Sequence, residues 1–399
     1  MNRKISLGAA ISFMAVIAAI TFTITMIITL NMFNDKVFNV KEREELYKKI
    51  SEVEHLIRQN YVGEIDETRL LNSVSDGFAD GIDDPYATYY DAETYNRLVA
   101  IEKGKLVGIG AALSRDDSGY LRISEVYEGS PAESAEIQEN DLLIAIEGED
   151  VQTVEYEDAL NKLMGEAGTS VNITVRRDSV DMDISVLLKN FEIPLVTMDV
   201  SNGNAYIRIK DFSDSAVEQF RRIISSVAAD ETITGIVFDV RGVNSGTLEN
   251  ACEMLDLLLP AGDIASITKN DGTSEVLKYS DANELNLPMV TLVNGKTQFA
   301  AELFAADLRD YNKSKLVGTT TYGQGVVPEA YQLKDGSCLV LSSAYFNSAV
   351  SENFNGTGLV PDYEVTFSAE DEKLFSYDQL ELSADEQYIK ALEVLDSVK

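Results

Sequence analysis

The chain has 399 residues, 45% of them hydrophobic and 25% charged, which is enough apolar material for two or three cored domains and too much for a disordered polymer. Its 33 basic and 67 acidic side chains leave a formal charge of −34, which repels a phosphate backbone and excludes nucleic acid as a partner. The cysteines Cys252 and Cys338 stand alone, and the single histidine, His55, sits in a polar N-terminal segment. No metal or cofactor is expected from that inventory, and Ser-His-Asp or Cys-His catalysis lacks its imidazole.

Arg3 and Lys4 precede an almost uncharged run, Ile5 to Phe33. At about 1.5 Å per helical residue this run exceeds the roughly 30 Å hydrocarbon core of a bilayer. No small-residue cleavage pattern follows, so residues 1–34 are expected to form an uncleaved single-pass anchor. The basic pair places the N-terminus in the cytoplasm and the bulk of the chain outside it. Residues 35–104 are expected to be helical, with Leu46, Ile50, Val53 and Ile57 forming an apolar stripe that lies on the next domain or pairs with a second copy. A second helix is predicted over Leu70 to Ile82, and the Asp-Asp-Pro-Tyr turn at Asp83 to Tyr86 ends it.

Residues 105–190 read as a small β-rich α+β domain. Gly108 to Ala111 open a strand, and Ser130-Pro131-Ala132-Glu133 has N-cap, N1 proline and first-turn acid in helix-starting order. Leu142 to Ile146 is a strand, Val154 to about Met164 a helix, and Val171, Ile173 and Val175 alternate. This order resembles a PDZ domain, which implies that Val107, Gly108, Ile109, Gly110 and Ala111 form the loop that captures a peptide's terminal carboxylate while the peptide adds a strand to the sheet edge. Glu136 and Asn140 stand where such domains usually carry glycine, and asparagine tolerates the left-handed conformation.

From residue 191 to 366 strands and helices alternate. Ala205 to Ile209, Gly235 to Val240 and Met289 to Val293 are strands, with helices at Asp214 to Ala228, Asn250 to Leu259 and Ala300 to Tyr311, an α/β layout with a mostly parallel sheet. Ser337 to Tyr345 adds a late strand, and residues 367–399 form an acidic, largely helical tail.

From about Glu45 to Val365 the chain resembles the C-terminal processing peptidases, also called tail-specific proteases. The resemblance rests on Ile82 to Tyr86, Gly129 to Ala132, Tyr206 to Ile209 with Phe212, Asp239-Val240-Arg241, Val293-Asn294-Gly295, Val317-Gly318 before Thr321-Tyr322-Gly323, and Thr357 to Asp362. It implies an α/β core of the tail-specific protease fold with an inserted PDZ domain, and a family chemistry in which a serine attacks, a lysine is the base and a glutamine orients it.

The family's S-A-S-A-S-E elbow aligns through Glu302, which puts Thr297 on the first serine, Phe299 on the nucleophile and Ala301 on the third serine. Its T-F-G-K-G-x-V-Q run aligns with Thr321 to Pro328, which puts Gln324 on the base and Pro328 on the orienting glutamine. Gly242 to Gly246 replace the N-N-P-G-G run, so the oxyanion hole is altered as well. The expectation is a fold without the chemistry. Such a pseudopeptidase would bind protein or peptide C-termini, as a homodimer or a heterodimer with an active relative. An active serine endopeptidase with an unconventional site and a structural envelope scaffold are the alternatives.

Overall fold

The computed structural model describes residues 26, 44–102, 106–116, 118–281, 283–377 and 379–399. The anchor expected at Ile5 to Phe33 lies outside the described residues apart from Met26, and no helix among the described residues is long and apolar enough to cross a membrane. Two compact units emerge, divided between Ser73 and Val74.

In the first unit, residues 44–60 are helical. Glu44 to Lys48 (2.7 Å) and Glu54 to Arg58 (2.9 Å) are paired one turn apart, and Arg58 also forks onto Glu67. The expected stripe is present at helical spacing, and Leu46, Val53 and Ile57 on it are exposed.

In the second unit the Asp-Asp-Pro-Tyr turn follows the end of helix Glu67–Asp80, and its use is mechanical. Asp84 accepts from the Ser342 N–H and hydroxyl, both at 2.9 Å, and strand Thr88–Tyr90 pairs antiparallel with Cys338–Asn347. Next comes an antiparallel sheet in the order Ala111–Arg115, Leu121–Val126, Leu142–Ile146, Ser170–Arg177 and Val180–Leu187. It closes over Ile109, Ile123, Leu143, Ile146, Ile173 and Val175. The second helix of this domain is shorter than predicted, Tyr156–Lys162, because Val151–Thr153 is a 3-10 turn and Met164–Glu166 leaves to pair with Leu106–Gly108.

The core holds a six-stranded sheet in the order Val196–Ser201, Asn204–Ile209, Gly235–Asp239, Met289–Val293, Ser314–Gly318 and Tyr363–Glu364. The first pair is antiparallel and the rest parallel. Its central strands, Gly235–Asp239 and Met289–Val293, are buried at every residue because both faces are covered. Ile236, Phe238, Met289 and Val293 face the helices Asp214–Ala229, Leu248–Asp256 and Ala300–Asp310, while Val237, Val290 and Leu292 face the terminal helix Glu386–Val398.

The C-terminal segment is helical, as expected, at Ala369–Ser376 and Glu386–Val398, and its last helix packs on the core through Ala391, Val394 and Leu395. Buried Arg241 bolts it down, donating to Asp239 (2.6 Å), to the Gln387 amide oxygen (2.8 Å) and to Asp385 (2.8 Å). A second sheet not anticipated from sequence joins Thr88–Tyr90, Cys338–Asn347, Gly262–Lys269 and Ser274–Ser280, with Val326–Gln332 also paired to Cys338–Asn347. Cys252 and Cys338 are both buried free thiols.

Candidate functional site

The strand Met289–Val293 delivers the chain to a turn that is sewn to its neighbour strand. The Asn294 Oδ1 accepts from the Gly242 N–H (3.0 Å) and the Lys296 N–H (3.1 Å). The Thr297 hydroxyl accepts from the Asn294 N–H at 3.0 Å and donates to the Val240 carbonyl at 3.0 Å. With that hydroxyl committed and its side chain fully buried, Thr297 offers no nucleophile. The Gln298 N–H donates to the Val243 carbonyl (2.9 Å), so Gly242 and Val243 both support the elbow.

Phe299 follows as the N-cap of helix Ala300–Asp310, at φ 53° and ψ −111°. Positive φ costs a non-glycine residue of the order of 1–3 kcal/mol, a strain characteristic of elbows that expose one side chain. Here the exposed group is a phenyl ring, which meets Phe346 edge-on with centroids 5.7 Å apart, and Phe346 in turn meets Phe354 at 5.4 Å. The ring also lines a cavity of about 780 Å³ shared with Pro328, Val327, Ile267, Leu248 and Ser343.

Glu302 ties the elbow helix to the loop that carries Gln324. Its buried carboxyl accepts from the N–H groups of Phe299 (3.1 Å), Gly323 (2.7 Å) and Gln324 (2.8 Å) and from the Thr321 hydroxyl. Burial pushes this carboxyl above the usual glutamate range, against the pull of those donors. Gln324 is 5% exposed, and its side-chain oxygen accepts from the Gln298 amide at 2.6 Å. An amide pair thus stands beside the elbow, and neither member titrates. Pro328 sits where strand Val326–Gln332 shifts register against Cys338–Asn347, a place that tolerates a residue without an N–H.

The structure therefore gathers the three positions read from sequence. Phe299 and Pro328 line one cavity, and Gln324 reaches the residue before Phe299. Lys313 and Lys315 are both paired, to Glu284 (2.5 Å) and Asp362 (3.5 Å), and Lys315 lies on strand Ser314–Gly318. Two partners went unnoticed in the sequence. Gln298 carries no motif of its own and meets Gln324 only through the fold. Tyr86, quoted for its turn, donates to the Gly323 carbonyl at 3.4 Å, and burial pushes its phenol up to about 12.

In the segment Val107 to Ala111, Val107 and Gly108 end the strand Leu106–Gly108, and Ile109 and Gly110 lead into the strand Ala111–Arg115. The Ile109 carbonyl accepts from the Ala132 N–H (2.7 Å) and the Gly110 carbonyl from the Tyr127 N–H (3.1 Å). Gly110 has φ +80°, and a Cβ there would lie 2.4 Å from the Ser130 Cβ, so only glycine fits. Strand Ala111–Arg115 pairs on one side only, with Leu121–Val126, leaving its other edge open among the described residues.

Residues 203–365 match the model of peptidase family S41, residues 122–177 that of a PDZ domain, and residues 6–94 that of the N-terminal domain of the activating protease CtpB. The carboxy-terminal processing protease CtpA of Bacillus subtilis is 28% identical over 364 residues, spanning 90% of this chain and 77% of that protein. CtpB of the same organism is 29% identical over 308 residues, spanning 75% of this chain and 64% of that one. Among solved structures, a protein from Bacteroides fragilis described as an S41 protease aligns with TM-score 0.50 at 20% identity over 74% of this chain and 83% of its own, a likeness of fold.

Proposed function

The chain is a homologue of the C-terminal processing proteases CtpA and CtpB, built from a peptidase S41 domain and a PDZ domain, and from that premise we propose that it binds protein C-termini without cutting them. One observation carries the reading. The elbow that should present a nucleophile holds Phe299, its strained backbone intact and its ring packed on Phe346, while the base position is an amide bonded to an amide. A phenyl ring cannot attack a carbonyl, and glutamine has no amine to deprotonate a nucleophile. What the scaffold keeps is recognition, through the Val107 to Ala111 loop and the open strand edge beside it. Membrane anchoring through Ile5 to Phe33, an extracytoplasmic location, and pairing with a second copy or an active relative complete the proposal. The uncharged N-terminal run and the exposed Leu46, Val53 and Ile57 support them.

Titration with an apolar-ended peptide, as free acid and as C-terminal amide, tests both halves when the mixture is then read by mass spectrometry. The free acid is expected to bind at least tenfold more tightly and to stay whole. Equal affinity would refute carboxylate capture, and fragments would refute the loss of chemistry.

A further inference from the structure

One outward backbone group on the open edge of the PDZ sheet is bonded from within the domain. In strand Ala111–Arg115 the Asp116 N–H to Tyr120 carbonyl bond (2.9 Å) sets the alternation, and the register runs Arg115 to Leu121, Ser114 to Arg122, Leu113 to Ile123. Hydrogen-bonded and non-bonded pairs alternate in an antiparallel ladder, so Ser114 faces its partner and the backbone groups of Leu113 point out to the open edge. The outward carbonyl of Leu113 is not left to solvent. The Tyr156 hydroxyl, at the start of helix Tyr156–Lys162, donates to it at 3.0 Å. The Arg115 guanidinium lies over the Tyr156 ring, 5.4 Å from its centroid, and the ring itself packs on the domain core. A hydrogen bond to a carbonyl lies near its lone-pair directions, so the phenol oxygen stands on the side from which an added strand would approach.

We propose that Tyr156 is a latch on the peptide groove, holding the Leu113 carbonyl until an incoming C-terminal strand displaces the hydroxyl. This rests on the reading that the PDZ domain binds protein C-termini. The geometry assigns the latch a cost to binding, because one protein–protein hydrogen bond must open before the ladder bond forms, and a relief on removal. A neutral hydrogen bond of ordinary strength corresponds to about three- to tenfold in affinity. Tyr156→Phe removes the hydroxyl while keeping the ring on the core and beneath Arg115.

The test uses the full chain and its Tyr156→Phe variant with a fluorescein-labelled octapeptide, Gly-Ser-Gly-Ser-Ala-Val-Ala-Val, carrying a free carboxylate. Hydrogen exchange of Tyr156–Lys162 is followed in parallel without peptide. Expected are a three- to tenfold lower Kd and severalfold faster exchange of that helix in the variant, whose tie to the strand is cut. Affinity that is unchanged or weaker overturns the latch and leaves the peptide reading standing. Faster exchange with no binding by either protein overturns the peptide reading, and the latch falls with it.

Discussion

Phe299 holds a strained backbone conformation at the start of the elbow helix. Its φ of 53° fits an elbow, and the cost is offset by aromatic contact with Phe346 and by Glu302 accepting its N–H. A similar strain sits at positions the sequence marked directly. Glu136 and Asn140, which replace usual glycines, have φ of 59° and 70°. Left-handed backbone costs a side-chain-bearing residue about 1–2 kcal/mol, less for asparagine. Glu136→Gly should therefore stabilise the chain by about 1 kcal/mol in urea denaturation, since the Arg177 bond to residue 136 goes to its backbone carbonyl and survives. A loss of stability would show that the glutamate side chain contributes more than its backbone costs. These positions were legible because a family pattern names a backbone requirement there. Gln298 was not, because its partner Gln324 lies 26 residues further on.

The elbow helix Ala300–Asp310 carries the next device. Asp307 is fully buried, its Oδ1 accepting from the Ala349 N–H at 2.7 Å while its Oδ2 has no partner among the described residues. Asp310 beside it takes the Ser348 and Ser351 hydroxyls and the N–H groups of Val350 and Ser351, so the helix holds the 348–351 loop by two carboxyls. Burial, and then the neighbouring Asp310, raise the Asp307 carboxyl well above its ordinary 3.8. A carboxyl whose folded pKa is raised binds its proton more tightly in the folded state. Its stabilising contribution is therefore present below pH 3.8 and lost as pH rises through the folded value. Asp307→Asn, which does not titrate, should gain stability over the parent at pH 8, with the gap closing below about pH 4. A gap independent of pH would contradict this. The helix itself was readable from its start at the Asn294 turn. The hairpin strand Val180–Leu187 was missed, although Val180, Met182, Ile184 and Val186 alternate and Asp178-Ser179 turn at φ 49° and 69°. Its intervening acids, Asp181 and Asp183, are what an exposed edge strand carries, and they dilute the apolar signal.

At the scale of the molecule, the order of parts was legible and the way they close was not. Periodicity gave the PDZ sheet and the parallel core, because buried strands and amphipathic helices write themselves locally. The second sheet and the terminal helix depend on distant pairing. Thr88–Tyr90 meets Cys338–Asn347, and Glu386–Val398 is fixed by Arg241 from the middle of the chain. The helical character of the acidic C-terminal segment is local, whereas the packing of Asp385 and Gln387 around a buried guanidinium is not. These closures keep the elbow, the Glu302 hub and the 321–324 loop together, and with them the site's shape. Whether that shape performs chemistry is the central question, and it is decided by the cleavage rate of an unstructured protein incubated with the wild-type chain and, in parallel, with its Gln324→Ala variant. The account predicts no product above the protein-free control in either reaction; turnover by the wild type that disappears in the variant would contradict it.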